Sequence, residues 1–301
     1  GTKSDVAETF RADLGGSSAN ICAGLCKLGS HSALVTSVSD DAVGRFCVNR
    51  LKYYGVETRY VQAVPGECRT SLAVYESCIE DFQNVIYRNN AADFQVTADQ
   101  MDEVAYDDFT AIISAGTVFA AEPSRRATFR AFDNARAAGL PVIFDIDYRP
   151  YSWPSAKVAA ETYSRAGALC DIVIGNDDEF GFMAGGYDKG LAKARELAST
   201  SAQIIVFKRG EKGAITLCGD QETRTGIFEV TALKPTGAGD AFMGGFVASL
   251  AGGYSVQDAV ARGSASAAIV VGKVGCAPAM PDEAELQGFL ASHPGMSAPL
   301  P

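Results

Sequence analysis

The feature that most constrains this chain is a regular alternation of short apolar segments with longer helical segments from residue 111 onward. Continuous runs of aliphatic and β-branched residues predict strands at 111–114, 142–145, 172–174 and 204–207. Helical spacing of apolar residues fills the intervals, at 123–138, 155–168 and 189–198. Apolar strands separated by helices are typical of a parallel sheet buried on both faces. The sequence therefore predicts an α/β fold with a central, mostly parallel sheet.

The remaining segments flank this alternation. Helices are predicted at 17–28 and 41–54, with a short strand at 33–37 between them. Residues 71–78 and 84–88 are β-like and no helix separates them, so we expect an antiparallel pair with Glu80-Asp81 in the turn. In the last part of the chain, the pattern predicts strands at 214–218 and 226–230. Helices are predicted after them, at 240–250, 256–271 and 282–290.

These patterns also suggest a division into domains. The β-only stretch 58–92 has no helices to cover both faces of a sheet, so we expect it to form, with 1–14, a small β lid. The α/β core then comprises 15–57 and 93–291. Residues 292–301 are expected to be a frayed tail.

Composition excludes several classes of protein. The chain has 36 acidic and 26 basic residues, a net charge of −10, which argues against nucleic-acid binding. No apolar run reaches the ~18 residues of a membrane span, and the first residues do not form a signal peptide. Eight cysteines without a CxxC pair favour reduced thiols over disulfides or structural zinc. With only two histidines, a His-based site is improbable, and we expect a cytoplasmic protein.

The sharpest local signal is the segment Lys234-Pro-Thr-Gly-Ala-Gly-Asp-Ala-Phe242. Gly237 and Gly239 allow a tight turn, and the backbone N–H groups at a helix N-terminus form an anion site. We expect Gly237, Ala238 and Gly239 to hold a phosphate or the charge of a phosphoryl group in transfer. The segment is neither a dinucleotide-binding fingerprint nor a Walker A loop, because the third glycine and the Gly-Lys-Ser/Thr are absent.

Asp240 gives this loop a second function. A carboxylate would oppose phosphate binding if it faced the same oxygens, but it can accept the proton of an attacking hydroxyl. Asp240 is thus a candidate general base for phosphoryl transfer. The alternative is structural, because aspartate is also a favoured residue at the start of a helix.

Four motifs in order resemble the ribokinase-like (PfkB) carbohydrate kinases. The glycine loop before Asp240 resembles that family's signature near the C-terminus. The other three are Gly15-Gly16-Ser-Ser-Ala-Asn20 followed by Gly24, Leu28 and Gly29; Asn176-Asp-Asp-Glu179; and Lys208-Arg-Gly210-Glu-Lys-Gly213. Singly each motif is weak, but together they cover nearly the whole chain. The resemblance implies a ribokinase-like three-layer sandwich with a small β-sheet lid.

Two further stretches resemble one branch of the family. They are Tyr87-Arg-Asn-Asn-Ala-Ala-Asp93 and Phe144-Asp-Ile-Asp-Tyr-Arg-Pro-Tyr-Ser-Trp153, which look like the 5-dehydro-2-deoxygluconokinases of inositol catabolism and the neighbouring 2-keto-3-deoxygluconate kinases. The resemblance implies ATP and Mg²⁺ as cofactors. It also implies positions for nucleotide binding (Lys208, Gly210, Gly213, Thr236 and Gly275), for Mg²⁺ through water (Asn176 and Glu179) and for the sugar (Gly15, Gly16 and Asn20).

The acceptor can be narrowed by residue chemistry. Arg149 follows a predicted parallel strand, at the sheet edge where α/β proteins bind ligands. Arg149 and Arg88 carry planar guanidinium groups suited to a carboxylate, which favours a sugar acid over a neutral sugar. The alternatives are a pair between Arg149 and Asp145 or Asp147, and a solvated lid arginine at 88. Asn20 and Glu179 have plain alternatives too, as residues that begin helices.

The chain departs from the family's pattern in two places. The family usually begins with a strand that carries a substrate-binding aspartate, and no such strand precedes Gly1 in this sequence. Many relatives have Asp-Thr-Thr ahead of the glycines, and that aspartate helps to hold a monovalent cation. Lys234 stands there instead, which argues against activation by K⁺.

We therefore expect an ATP-dependent kinase of a sugar acid, forming a homodimer through exposed lid strands. One alternative keeps the fold and changes the acceptor to 2-keto-3-deoxygluconate, fructose or a nucleoside. Another is a nucleotide-binding or sugar-sensing protein without turnover. A phosphate-loop hydrolase is the least favoured alternative, because the chain lacks a catalytic histidine and a Walker lysine.

Overall fold

The computed structural model describes residues 3–76 and 83–299, and of Tyr151 only the backbone. The predicted turn at Glu80-Asp81 and the thiol of Cys78 lie outside the described residues. Within the described ranges, the α-helices are α1 Ser17–Lys27, α2 Ala42–Tyr53, α3 Ala98–Asp102, α4 Ser124–Ala137, α5 Ala156–Gly167, α6 Asp177–Ala184, α7 Gly190–Thr200, α8 Ala238–Ala251, α9 Val256–Val271 and α10 Glu283–Ser292.

Strands of four or five residues lie between these helices. They are β1 Thr36–Ser39, β2 Val61–Val64, β3 Leu72–Tyr75, β4 Asn84–Tyr87, β5 Ile112–Ala115, β6 Val142–Asp145, β7 Ile172–Asn176, β8 Ile204–Lys208, β9 Ala214–Cys218 and β10 Gln221–Thr225. The chain divides into two compact units, Gly1–Asp93 with Phe228–Met296, and Phe94–Ile227 with Ser297–Pro301.

The second unit contains the sheet that the alternation predicts. Its strand order is β10-β9-β8-β7-β6-β5, and β5 to β8 are parallel. Strands β6 and β7 are buried along almost their whole length, as expected for a sheet covered on both faces. Aromatic side chains cluster against it, with Phe119 and Phe132 fully buried. The mostly parallel sheet is therefore confirmed.

The edge of this sheet differs from the prediction. Strand β9 pairs antiparallel with β8 and with β10, joined to β10 by a two-residue turn at Gly219 and Asp220. The predicted strand at 226–230 is wrong, because β10 is the preceding polar segment Gln221–Thr225. The main chain of Ile227 instead bonds to Ser297 of the tail, whose N–H donates to the Ile227 carbonyl over 2.8 Å. This part of the tail is therefore held in place and not frayed.

The first unit contains two small sheets and the helices that carry the glycine motifs. Strand β1 pairs in parallel with β2. It begins at Thr36, three residues after the start of the strand predicted at 33–37. Strands β3 and β4 pair antiparallel, in the register Leu72 opposite Tyr87, which confirms the predicted antiparallel pair. Helix α8 packs on both α1 and α9, which explains why it is apolar around most of its circumference. The domain boundaries drawn from the sequence stay a prediction.

Candidate active site

The glycine loop of the first unit leads directly into α8. Gly237 is the N-cap of this helix and has a φ of +88°, a conformation in which glycine is strongly favoured. A β-carbon at this position would lie 3.0 Å from the Cys276 sulfur, so a side chain there would also crowd that residue. The helix begins at Ala238, two residues earlier than predicted, and Asp240 is therefore the third residue of its first turn. Gly237, and not Asp240, begins the helix.

Asp240 is oriented by an asparagine from the N-terminal motif. The Asn20 side chain, in the first turn of α1, is 4% exposed and donates from Nδ2 to Asp240 Oδ2 over 2.8 Å. Among the described residues, the buried Oδ1 of Asn20 has no hydrogen-bond partner. A buried acceptor without a partner is costly unless something satisfies it. Two residues that lie 220 positions apart in the sequence thus form one polar pair at the start of α8.

A close contact between helices supports this pair. One helical turn beyond Asn20 and Asp240 lie Gly24 and Gly244. A β-carbon built on Gly244 would lie 3.4 Å from the Gly24 α-carbon, so α1 and α8 touch backbone to backbone. Gly16 begins α1 with a φ of +92°, and neither it nor Gly15 would place a β-carbon within 4 Å of another residue. The glycines at 15 and 16 therefore border open space.

Lys234 is buried behind the loop. Its side chain is fully buried, and its ammonium group donates to the Thr236 carbonyl and, over 3.3 Å, to the Val270 carbonyl near the end of α9. Burial lowers the pKa of Lys234, while the charges of Cys276 and Asp240 oppose that shift. The sequence drew attention to this lysine only as a departure from the family pattern and gave no sign that its charge is buried.

The wall next to the loop contains Gly275, which the family resemblance implied, and two residues that the sequence did not single out, Tyr75 and Cys276. Gly275 has a φ of +86°, and a β-carbon there would lie 2.5 Å from the Pro278 ring. The Tyr75 hydroxyl, on strand β3, lies 4.0 Å from the Cys276 sulfur. Burial raises the pKa of Tyr75 and of Cys276, so both stay protonated near neutral pH. Only the alternation of β3 could have indicated Tyr75, and alternation does not identify a partner.

Arg88 is an ion-paired arginine of the hairpin, and it is not simply solvated. Its guanidinium binds Asp93, with Nε 3.0 Å from Oδ2 and a second contact from Nη2. The Ser71 hydroxyl donates to the other oxygen of Asp93 over 2.5 Å. The Arg88 side chain is only 17% exposed, so the aspartate fixes its position.

The second unit holds the remaining predicted residues, and Arg149 is paired as one alternative anticipated. Its Nη2 lies 2.6 Å from Asp147 Oδ1. Asp147 is buried and has a φ of +37°, which non-glycine residues adopt rarely and mostly at functional sites. Asp145, at the end of β6, is also buried. This strand end therefore presents two buried carboxylates and one arginine that is 41% exposed.

Asn176 and Glu179 form a capping box at the start of α6. Asn176 Oδ1 accepts from the Glu179 N–H over 2.8 Å, and Glu179 Oε2 accepts from the Asn176 N–H over 2.7 Å. Burial raises the pKa of Glu179, and the positive charge of Lys208 on the neighbouring strand lowers it. Both residues therefore have the expected role at the start of a helix. The hydrogen bond from the Asn176 N–H uses one of the two carboxylate oxygens of Glu179.

Lys208 ends β8, and a glycine turn follows it. Gly210 and Gly213 have φ values of +56° and +81°. A β-carbon on Gly213 would lie 1.9 Å from the Thr225 carbonyl oxygen, so only glycine fits. The Arg209 N–H donates to the Gly213 carbonyl over 2.7 Å and closes the turn.

No group of three or more His, Cys, Asp or Glu side chains in residues 3–76 and 83–299 is arranged to hold a metal ion. Within the same ranges, none of the helices combines the length and apolarity that a membrane span needs.

Sequence comparison relates the chain to sugar kinases. The pfkB family carbohydrate kinase profile matches residues 1–283. A 5-dehydro-2-deoxygluconokinase from Geobacillus kaustophilus (strain HTA426) is 36% identical over 295 residues, which are 96% of this chain and 88% of that protein.

Solved structures share the fold. A fructokinase double mutant from Vibrio cholerae O395, bound to fructose, ADP and a potassium ion, has a TM-score of 0.80 at 26% identity over 92% of this chain and 90% of that chain. A protein described as a putative Ribokinase II from E. coli, in complex with ATP and Mg²⁺, has a TM-score of 0.87 at 21% identity, covering 97% of this chain and 94% of that chain. The expected family and the ribokinase-like fold are confirmed. Because the family profile spans most of its length, this chain belongs to the PfkB family of ATP-dependent carbohydrate kinases.

Proposed function

We propose that this chain phosphorylates a sugar acid at a primary hydroxyl, with 5-dehydro-2-deoxy-D-gluconate as the acceptor. The observation that carries the proposal is the pair formed by Asn20 and Asp240 at the N-terminus of α8. It places an oriented carboxylate beside a helix start that favours negative charge. The curated relative named for the same acceptor supports the choice of substrate.

Asp240 and the loop have different tasks in this proposal. Asp240 accepts the proton of the attacking hydroxyl, and the bond to Asn20 keeps one carboxylate oxygen in a fixed direction. The N–H groups of Gly237, Ala238 and Gly239 bind the negative charge of the phosphoryl group as it is transferred. The positive φ of Gly237 already turns the backbone into the first turn of α8, so these groups need little reorganisation during the reaction.

The residues present fit a nucleotide in two respects. The positive-φ glycines 210, 213, 237 and 275 supply turns in which the backbone can approach phosphates closely. For the same purpose, Lys208 supplies a positive charge and Thr236 supplies a hydroxyl group. Mg²⁺ bound with ATP neutralises phosphate charge, and it needs few protein ligands because it keeps most of its waters. Asn176 and the second oxygen of Glu179 are suited to hold those waters.

Arg149 and Arg88 are proposed to bind the acid group of the acceptor. Arg88 binds Asp93, and Arg149 binds Asp147 through Nη2 and the Tyr148 carbonyl through Nη1, so each guanidinium is held in a fixed direction. The aspartates therefore act as supports that orient each guanidinium for a carboxylate or keto group. Gly15, Gly16 and Asn20 are proposed to contact the sugar itself, where the open space at both glycines leaves room for a ligand.

We further propose that 1–14 and 58–92 act as a lid that excludes water, which otherwise competes as acceptor. The exposed apolar side chains Leu72, Val85 and Tyr87 on the β3–β4 hairpin favour a homodimer through this lid. Sedimentation velocity of the intact chain and of a Val85→Lys variant tests this. A dimer that becomes a monomer in the variant supports the assignment, and unchanged sedimentation contradicts it. A location in the cytoplasm also stays part of the proposal.

The central experiment is an ADP-release assay with Mg-ATP over a panel of neutral sugars and sugar acids, 5-dehydro-2-deoxygluconate included. Turnover confined to keto-acids supports the proposal. Turnover with only fructose and other neutral sugars would be consistent with Asp240 as the base. It would contradict the proposal that Arg88 and Arg149 bind a carboxylate of the acceptor. If turnover is confined to keto-acids, Arg149→Gln should raise KM for the acid and leave KM for ATP unchanged.

Asp240→Asn tests the base and separates a kinase from a sensor without turnover. We expect kcat to fall by about 10²–10⁴-fold, with ATP binding retained by calorimetry. Asp258→Asn is the matched control, because Asp258 is likewise the third residue of a helix and is exposed at the start of α9. Equal activities of the two variants would exclude Asp240 as the base.

A further inference from the structure

The buried ammonium of Lys234 has no role in the mechanism described so far. It lies one residue from the glycine loop, and among the described residues it contacts carbonyl oxygens and no carboxylate. A buried charge with no carboxylate in contact is expensive to maintain, although the charge of Asp240 acts on it from a distance. A neutral side chain of the same length would avoid that cost, so the charge itself needs an explanation.

The carbonyl groups around Lys234 come from two elements. The Val270 carbonyl lies at the C-terminal end of α9, where the helix dipole favours a positive charge. The main-chain N–H of Lys234 also donates to the last residue of that helix, Val271, over 3.2 Å. The Thr236 carbonyl belongs to the loop that precedes α8. The ammonium therefore joins the negative end of α9 to the loop at the positive end of α8.

The direction of one peptide group links this contact to the anion site. The peptide between Thr236 and Gly237 is trans, so its C=O and N–H point in opposite directions. Because the carbonyl faces the ammonium, the Gly237 N–H is directed away from it. A cation on the carbonyl also polarises the peptide and strengthens its N–H as a donor. Lys234 thus orients and polarises the first N–H of the anion hole.

We propose that Lys234 is a positioning residue whose ammonium acts as a built-in monovalent cation, which makes turnover independent of added K⁺. Main-chain carbonyl oxygens can bind K⁺, and here they accept hydrogen bonds from an ammonium group. The Lys234 ammonium therefore occupies a position that a free cation could otherwise fill. The effect on rate rests on the proposed function, whereas the binding of cations at these carbonyls does not. The alternative is that Lys234 only caps α9, as basic side chains often do.

The kinetic test compares wild type, Lys234→Met and Lys234→Ala in choline, sodium, potassium and ammonium chloride at constant ionic strength. Lys27→Met is the matched control, because Lys27 also donates to two main-chain carbonyls, those of Pro278 and Met280, over 3.0 and 2.7 Å. Thermal unfolding shows whether each variant is folded. If Lys234→Ala does not fold, the wild type and Lys234→Met still decide the question.

We expect wild-type kcat to change by less than about twofold between salts, whereas kcat of Lys234→Met falls at least about tenfold in every salt. KM for the acceptor should change little, and Lys27→Met should keep the wild-type kcat and salt response. Lys234→Ala should recover activity with K⁺ or ammonium and not with choline. A wild-type enzyme activated more than about fivefold by K⁺, or a folded Lys234→Met with kcat within about twofold of wild type, overturns the proposal.

A second readout does not depend on turnover. Crystals soaked in Rb⁺ should show an anomalous peak beside the Thr236 and Val270 carbonyls in Lys234→Ala and none there in wild type. A peak in wild type, or no peak in Lys234→Ala, overturns the proposal. If wild type releases no ADP with any acceptor, the proposed function fails, and the Rb⁺ result still decides whether Lys234 replaces a cation.

Discussion

Removing the Asn20 side chain should slow turnover without weakening nucleotide binding. Asn20→Ala deletes the donor that lies 2.8 Å from Asp240 Oδ2. A hydrogen bond to a charged group contributes about 1.5–3 kcal/mol. If that contribution keeps Asp240 in its productive orientation, kcat should fall by roughly 10- to 150-fold. Asn20→Asp should be worse, because it places a second negative charge against Asp240.

The assay is steady-state ADP release under saturating Mg-ATP, together with calorimetric ATP binding. Asn134→Ala is the matched control, because Asn134 Nδ2 also donates to an aspartate, Asp102 Oδ1, over 2.8 Å on an exposed surface. We expect the control to keep wild-type kcat and to differ from wild type by no more than about 1 kcal/mol in the free energy of unfolding.

A double-mutant cycle gives the sharpest outcome. In a background of Asp240→Asn, the further change Asn20→Ala should cost almost nothing, since residues that act as a unit are not additive. A full additional loss in the double variant, or a folded Asn20→Ala within about twofold of wild-type kcat, would refute the reasoning that Asn20 acts through Asp240.

The remaining predictions concern a glycine and a carboxylate. Gly237→Ala should lower Tm and kcat more than Gly253→Ala, because both positions have positive φ but only the first β-carbon would crowd Cys276; equal shifts in calorimetric melts would contradict this. Hydrogen bonds from the Ser4 N–H, from the Ser4 hydroxyl and from Lys3 lower the pKa of Glu76 to about 2. The contribution of this carboxylate to the free energy of unfolding is therefore complete above pH 4.5 and is lost as pH falls toward 2. Glu76→Gln should therefore flatten urea-denaturation stability between pH 4.5 and 3; an unchanged slope would contradict it.

The sequence predicted the fold well where apolar runs were strong. Strands β6 and β9 were predicted at their observed bounds, and so was α9, since burial on both faces leaves little freedom in composition. Strand β10 was missed because four of its five side chains are not buried and its residues are polar. The following apolar run at 226–230 resembled a strand more closely, although Ile227 pairs with the tail instead.

The candidate site could be predicted in composition and only partly in geometry. Asp240, Asn20 and the loop glycines were identified by residue type and spacing, but nothing local in the sequence indicates that Asn20 bonds to Asp240. The same limit applies to the ammonium of Lys234, because its second partner, Val270, lies 36 positions away and becomes a neighbour only after α8 packs on α9. Long-range partners depend on helix packing, which a single sequence does not specify.

The touching backbones of α1 and α8 affect how mutational data on this enzyme should be interpreted. Gly24 and Gly244 carry no functional group, and an alanine at either position would only just touch the facing helix. A branched side chain such as valine would force the helices apart and separate Asn20 from Asp240. In a saturation scan selected for growth, these two glycines would therefore tolerate one substitution and reject the larger ones, in a pattern graded by side-chain volume. Position 240 would reject nearly every substitution. The pattern of tolerated residues therefore distinguishes positions that set the distance between the helices from the position whose carboxylate takes part in the reaction.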